Sequence, residues 1–123
     1  MADKGRGSAM VAMMMLCMLI FHFEMGSAAT YIVGGSNGWT FNLAAWPKGK
    51  RFRAGDILVF NYSPAAHNVV AVNRVGYDSC TGPKGKVYRS GKDRIKLVKG
   101  QNFFICSFAG HCQAGMKIAI NAL

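Results

Sequence analysis

The sequence predicts an all-β fold, a sandwich or barrel whose strands are joined by Greek-key connections. Glycine and proline residues that favour turns recur at intervals of about eight to twelve residues between positions 34 and 115. The runs between them are short and rich in β-branched and aromatic residues, which are enriched in strands. In two runs, Ile95 with Leu97 and Ile118 with Ile120 alternate with polar residues, as in strands with one buried face.

The strands follow from this pattern in chain order. They are expected over residues 30–33, 56–62, 68–73, 87–88, 94–98, 102–108 and 117–121. One helical turn is expected over residues 43–46, because Asn42 is a suitable N-cap and Pro47 would end the helix.

The first 28 residues differ in composition from the rest and predict a secretory signal peptide. Lys4 and Arg6 give a positive start, residues 9–23 are almost entirely apolar, and residues 26–29 are small. A membrane anchor is the alternative, but the apolar run is short for a span, and His22 and Glu24 close it. We expect cleavage after Ala28, within one residue, which leaves residues 29–123 as one domain.

The acidic residues are too few for most hydrolytic chemistry. The 123-residue chain has a net charge of +10, and the predicted mature domain keeps this charge with three scattered acids, Asp56, Asp78 and Asp93. Paired carboxylates are therefore difficult to assemble. A glycine-rich phosphate loop does not occur in the sequence. We expect a protein that is not an enzyme.

The basic excess raises nucleic acid as a partner, but secretion and the scattered positions of the basic residues argue against it. A solvated surface is the simplest interpretation. The alternative is attraction to an anionic extracellular partner, either a redox protein or an acidic cell-wall polysaccharide.

Four scarce side chains predict a copper site. The predicted domain has two histidines, His67 and His111, and one methionine, Met116. Cys106 lies five residues before His111, and Met116 lies five residues after it. Two imidazoles, a thiolate and a weak thioether are the ligand set of a blue copper centre. Zinc is the competing metal, but it prefers a fourth strong ligand. The remaining alternative is two surface histidines and a core methionine.

The cysteines of the predicted domain are odd in number. Cys17 would leave with the signal peptide, so Cys80, Cys106 and Cys112 remain, and an oxidising compartment favours one disulfide. Pairing of Cys80 with Cys112 would leave Cys106 for the metal. Pairing of Cys106 with Cys112 is also open at this point, and it would destroy the site.

Longer motifs carry a resemblance to a known family. They include Tyr31-Ile-Val-Gly-Gly, Gly38-Trp-Thr-Phe, Trp46-Pro-Lys-Gly-Lys-Arg-Phe, His67-Asn-Val-Val and Gly110-His-Cys-Gln-Ala-Gly-Met-Lys-Ile-Ala. The predicted domain resembles the plantacyanin branch of the phytocyanins, a subfamily of the cupredoxins. Met116 distinguishes it from the stellacyanin-like branch, which has glutamine there.

The resemblance implies a two-sheet Greek-key sandwich (cupredoxin-like) with one or two short helical turns. It also implies one type 1 copper ion, cycling between Cu(II) and Cu(I), with His67, Cys106, His111 and Met116 as ligands. A Cys80–Cys112 disulfide is implied as well, and Asn68 resembles the asparagine that ties the two ligand loops together in cupredoxins.

Together these features predict a secreted, monomeric, non-enzymatic protein of the plant apoplast that transfers single electrons to an unknown, anionic redox partner. No membrane anchor is expected, because the sequence ends in a predicted strand. The alternative is an extracellular signalling or cell-wall-binding protein, with a reproductive or stress role, in which copper is mainly structural.

Overall fold

The computed structural model describes residues 27–82 and 85–123. All but the last two residues of the predicted signal peptide therefore lie outside the described residues. The described chain contains strands β1 to β7 and one α-helix, α1. Their bounds are β1 Thr30–Ile32, β2 Ile57–Asn61, β3 Val69–Val72, α1 Arg74–Ser79, β4 Lys86–Tyr88, β5 Lys92–Lys96, β6 Gly100–Ile105 and β7 Lys117–Ala122.

The strands form two sheets, as the all-β sandwich prediction requires. One sheet has the order β1-β2-β5, in which β1 and β2 are parallel and β2 and β5 antiparallel. The other has the order β4-β3-β6-β7 and is antiparallel throughout. Because the chain crosses from one sheet to the other after β2, β4 and β5, residues distant in sequence meet at the ends of the sandwich.

The core lies between the sheets and is rich in aromatic side chains. Phe60 of β2 packs edge-on against Trp39, with ring centroids 5.1 Å apart, and its ring also lies 5.3 Å from that of Phe104 of β6. All three side chains are buried. Since Phe60 and Phe104 belong to different sheets, this contact joins the two layers.

The helical segments differ from the prediction. Residues 43–46 form a hydrogen-bonded turn in which the Trp46 N–H donates to the Leu43 carbonyl. They do not form a helix, so the prediction of a helical turn there is wrong. Asn42 has φ of 59°, so its backbone lacks the extended conformation that an N-cap normally adopts. The structure instead places a 3-10 turn at Gly35–Asn37 and the helix α1, which Asn73 caps by accepting from the Gly76 N–H.

Within residues 27–82 and 85–123, no helix has the length and apolar character needed to cross a bilayer.

Candidate metal centre

The strand register brings the predicted ligands to one end of the four-stranded sheet. Val70 of β3 pairs with Ile105 of β6, which pairs with Lys117 of β7. The start of β3, the end of β6 and the start of β7 therefore meet. His67 precedes β3, Cys106 follows β6, and Met116 precedes β7, so three separate backbone segments converge there.

Three side chains converge closely enough to share one metal ion. The Nδ1 atoms of His67 and His111 are 3.1 Å apart, and the Cys106 Sγ lies 3.4 Å from the His111 Nδ1. One donor atom from each of the three residues falls within 4.8 Å of the others. Donor atoms separated by 3–4 Å suit one ion whose bonds are about 2.0–2.3 Å long.

Met116 lies beside this cluster in the core. Its side chain is fully buried, in the same apolar cluster as that of Cys106. Its carbonyl accepts from the Cys106 N–H at 3.1 Å, and its own N–H donates to the His111 carbonyl at 3.0 Å. The backbone of Met116 is thus bonded directly to two of the other three predicted ligands.

The loop that carries His111 is held by its own backbone hydrogen bonds. The His111 N–H donates to the Phe108 carbonyl at 3.0 Å, and the Gly115 N–H donates to that of Cys112 at 2.9 Å. These short-range bonds fold the segment into consecutive turns. The position of the imidazole is therefore determined by the backbone of the loop.

Gly115 allows a second loop to pack against the ligand loop. It has φ of 83°, and a Cβ atom there would lie 3.1 Å from the backbone of Asn42. The close approach permits the Leu43 N–H to donate to the Gly115 carbonyl at 2.9 Å. Glycine is required both for the backbone conformation and for the space.

Asn68 connects the histidine segment to the cysteine segment. Its Nδ2 donates to the Ser107 Oγ at 2.8 Å, and its Oδ1 accepts from the Ser107 N–H at 2.9 Å. The Asn68 carbonyl in turn accepts from the Trp39 Nε1 at 2.8 Å. The residues adjacent to His67 and Cys106 are thus joined through one buried amide and anchored to the core.

A disulfide joins Cys80 to Cys112, with Cα atoms 5.6 Å apart. Cys112 directly follows His111, and Cys80 follows the helix α1, so the bridge ties the ligand loop to the end of α1. Cys106 remains a free, buried thiol. The alternative pairing of Cys106 with Cys112, which the sequence left open, is not the one formed.

Electrostatics favour the neutral, metal-binding form of His67. Burial lowers the pKa of this imidazole below its usual range, and the nearby charge of His111 lowers it further. A neutral imidazole has a free nitrogen lone pair for a metal ion.

Two aromatic rings that sequence reasoning missed surround the histidines. Phe41 lies edge-on to both imidazoles, with centroid separations of 5.7 Å to His67 and 5.0 Å to His111. Phe108 lies 5.7 Å from His111. Phe41 is 39% and Phe108 36% exposed, so the half-buried imidazoles reach the surface within an apolar rim. Nothing in the local sequence around Phe41 indicates this contact, which the folding of the loop against the ligand segment creates.

The donor set fits copper better than other common metals. Imidazole and thiolate donors accommodate both oxidation states of copper, and the adjacent buried thioether is a weak, soft donor that suits Cu(I). A structural zinc site would recruit a fourth strong ligand from cysteine, histidine or a carboxylate. Among the described residues, the clustered donors of those types are His67, Cys106 and His111 alone.

Comparisons with known proteins agree with this geometry. Residues 38–116 match the plastocyanin-like domain family. The chain is 55% identical to a basic blue protein of Arabidopsis thaliana, over 98% of each chain. The solved structure of cucumber basic protein, a blue copper protein, matches with a TM-score of 0.76 and 68% identity, over 77% of this chain and 100% of that one. Spinach plantacyanin matches with a TM-score of 0.65 and 62% identity, over 70% of this chain and 94% of that one. On sequence, fold and site alike, the chain belongs to the plantacyanin branch of the phytocyanins, within the cupredoxin family of blue copper proteins.

Proposed function

We propose that the protein is a single-electron carrier, not an enzyme, and that His67, Cys106, His111 and Met116 hold one copper ion. The observation that carries this proposal is the convergence of two imidazole nitrogens and a buried thiol sulfur from two loops that are distant in sequence. Copper, when bound, supplies the one-electron couple between Cu(II) and Cu(I).

The protein's contribution is to hold the donors in one arrangement. Asn68 bonds the segment after His67 to Ser107, and the disulfide at Cys112 restrains the loop that carries His111. Because Cu(II) and Cu(I) prefer different geometries, donors that a rigid scaffold holds in place reduce the rearrangement that accompanies electron transfer.

The site is accessible from its histidine side. Cys106 and Met116 are fully buried, whereas the half-buried imidazoles lie between the partly exposed rings of Phe41 and Phe108. A redox partner would therefore approach the imidazole edges across an apolar rim, and the thiolate would remain shielded from solvent.

Electron exchange with charged reagents tests this function. The copper-loaded protein should accept and return one electron per chain, and protein without copper serves as the control. Because the net charge of +10 attracts an anionic reagent, the rate of exchange with that reagent should decrease as ionic strength rises. Screening limits the electrostatic field to ~8 Å near physiological salt. Exchange with a cationic reagent should become faster. Failure to exchange one electron would contradict the proposal, and salt-independent rates would show that the basic surface does not steer partners.

We also propose that residues 1–28 direct the chain out of the cell, where residues 29–123 act as the mature domain. The charged, apolar and small-residue regions of the N-terminal segment support this. Sequencing the N-terminus of protein recovered from the medium of expressing cells tests it.

A second candidate function, binding to an acidic cell-wall polysaccharide, is favoured by the outer face of β5. Lys92, Arg94 and Lys96 are exposed at alternate positions, between the buried Asp93 and Ile95. Alternate side chains on one strand are about 7 Å apart, so they form a straight basic row. The protein should bind polygalacturonate but not a neutral polysaccharide. A variant in which the three basic residues of β5 are changed to Gln should lose this binding, and that result would support the function. Equal binding of the variant would contradict it.

A further inference from the structure

Asp56 is a buried carboxylate that the metal site does not use. Its side chain is 3% exposed. Its Oδ1 accepts from the Ala29 N–H and its Oδ2 from the Arg53 N–H, each at 2.9 Å. Arg53 belongs to the same turn, but Ala29 lies 27 residues earlier in the chain. The carboxylate therefore fixes the beginning of β1 to the beginning of β2.

Ala29 is held on both sides of its Cα atom. Its carbonyl accepts from the Ile57 N–H at 2.9 Å, next to the parallel pair formed by Thr30 and Ile57. Ser27, Ala28 and Ala29 are all exposed. The peptide bond between Ala28 and Ala29 thus lies at the surface, and its nitrogen is the one that donates to the buried Asp56 carboxylate.

We propose that proteolysis of the Ala28–Ala29 bond creates an ion pair between the new α-ammonium group of Ala29 and Asp56. This inference rests on the proposed secretion but not on the copper site. A signal-peptide-removing protease would use one water molecule, whose oxygen becomes part of the Ala28 carboxylate. The Ala29 nitrogen leaves with the bonding electrons and takes up protons, because α-amino groups have pKa values of about 7.7–8.0.

The geometry selects this bond over its neighbours. Cleavage after Ser27 would leave the Ala29 nitrogen as a neutral amide, and cleavage after Ala29 would remove that nitrogen from the protein. Cleavage after Ala28 places a positive charge 2.9 Å from a buried carboxylate. Such charge-assisted hydrogen bonds are roughly twice as strong as neutral ones.

Two further features agree with this assignment. Gly26 and Ala28, at the third and first positions before the bond, are small, as a signal cleavage site requires. In addition, the complete chain of cucumber basic protein matches 77% of this chain, which is the share that residues 29–123 represent.

The first test is the N-terminal residue of protein secreted from plant cells that express the full chain. The proposal predicts Ala29. Secretion with Ala28 or Thr30 as the first residue would contradict the processing site and the ion pair, but not the proposed secretion. Retention of residues 1–28 on the protein inside the cells would contradict the proposed secretion as well.

The second test isolates the charge on Ala29. Acetylating the α-amine of the secreted protein at slightly acidic pH spares the lysines, whose amines have pKa values of about 10.4. The modified nitrogen keeps an N–H donor but loses its charge. We expect the thermal midpoint to fall by about 4–8 °C, the shift that corresponds to a loss of about 1 kcal/mol in a domain of this size.

The effect must depend on Asp56. In Asp56→Asn, acetylation should leave the midpoint unchanged, whereas Asp78→Asn, at an exposed position in α1, should keep the full effect. An equal fall in Asp56→Asn would contradict the ion pair. An unchanged midpoint after acetylation of the wild type would also contradict the ion pair. This measurement is valid even if Asp56→Asn does not fold.

Discussion

Asn68 and Ser107 exchange two hydrogen bonds across a gap of 39 residues in sequence, one through the serine hydroxyl and one through its backbone N–H. Each residue is adjacent to a predicted ligand, His67 in one case and Cys106 in the other. The two hydrogen bonds therefore help to fix the distance between His67, which precedes β3, and Cys106, which follows β6.

Asn68→Ala should destabilise the protein by about 2 kcal/mol, because both hydrogen bonds to Ser107 disappear and each contributes about 1 kcal/mol. Copper release to a chelator should also become faster. Ser107→Ala is the matched control, since it removes only the hydroxyl contact and should cost about 1 kcal/mol. Denaturant unfolding and release kinetics measure both effects. Wild-type behaviour of Asn68→Ala in both measurements would show that the bridge does not support the site.

Removing the disulfide with Cys80→Ala and Cys112→Ala should lower the free energy of unfolding by about 3–4 kcal/mol. This is the chain-entropy value for a crosslink between residues 32 apart in sequence. Because Cys112 follows His111, the variant should also lose copper more readily than the wild type. Unfolding curves recorded with and without copper measure both effects, and unchanged stability would contradict a structural role for the bridge.

Tyr62 should make stability depend on pH in the alkaline range. Burial, followed by a hydrogen bond from its hydroxyl to the Asp93 carboxylate, raises its pKa from 10.0 to about 12. The folded state thus retains this proton at pH values where the unfolded chain loses it. The resulting stabilisation is complete below pH 10 and is lost as the pH rises towards about 12.

Tyr62→Phe provides the comparison, since it cannot ionise. The variant should be less stable than the wild type near neutral pH, and the difference should narrow between pH 10 and 12. Denaturant midpoints measured at intervals across that range test this. A constant difference would show that Tyr62 ionises alike in the folded and unfolded states.

Met116 should tune the reduction potential without being needed for copper binding. Met116→Gln supplies a harder oxygen donor that favours Cu(II), so the potential should fall, whereas Met116→Leu removes the donor and should raise it. Shifts of about 60–120 mV in opposite directions correspond to one or two factors of ten in the redox equilibrium. Cyclic voltammetry beside thermal melts measures them. Equal potentials in all three proteins would exclude Met116 from the site.

The strands were predictable because their signal is local. In β5 the buried Asp93 and Ile95 alternate with exposed basic residues, although the strand occupies Lys92–Lys96 and not residues 94–98. The helix α1 was missed because its six residues are too few for a helical period and include Gly76. Asn73, an N-cap residue type, was the one available signal.

The site was predictable in its chemistry but not in its supports. Scarce histidine, cysteine and methionine residues stand out in any sequence, whereas the partner of Asn68 depends on the pairing of β3 with β6. Ser107 is next to Cys106 in sequence, so a position close to the metal could have been predicted for it. Its hydrogen bonds to Asn68 could not. Phe41 reaches the histidines through tertiary packing, which no local pattern encodes.

The visible spectrum of the copper-loaded protein beside that of Cys106→Ser tests the central claim most directly. Cys106 is a free, fully buried thiol 3.4 Å from the His111 Nδ1. If its thiolate binds copper, the wild type should become intensely blue on addition of one equivalent of Cu(II). Cys106→Ser should stay colourless while its circular dichroism remains that of a folded β protein. A wild type that stays colourless, or a Cys106→Ser variant that turns blue, would contradict the account.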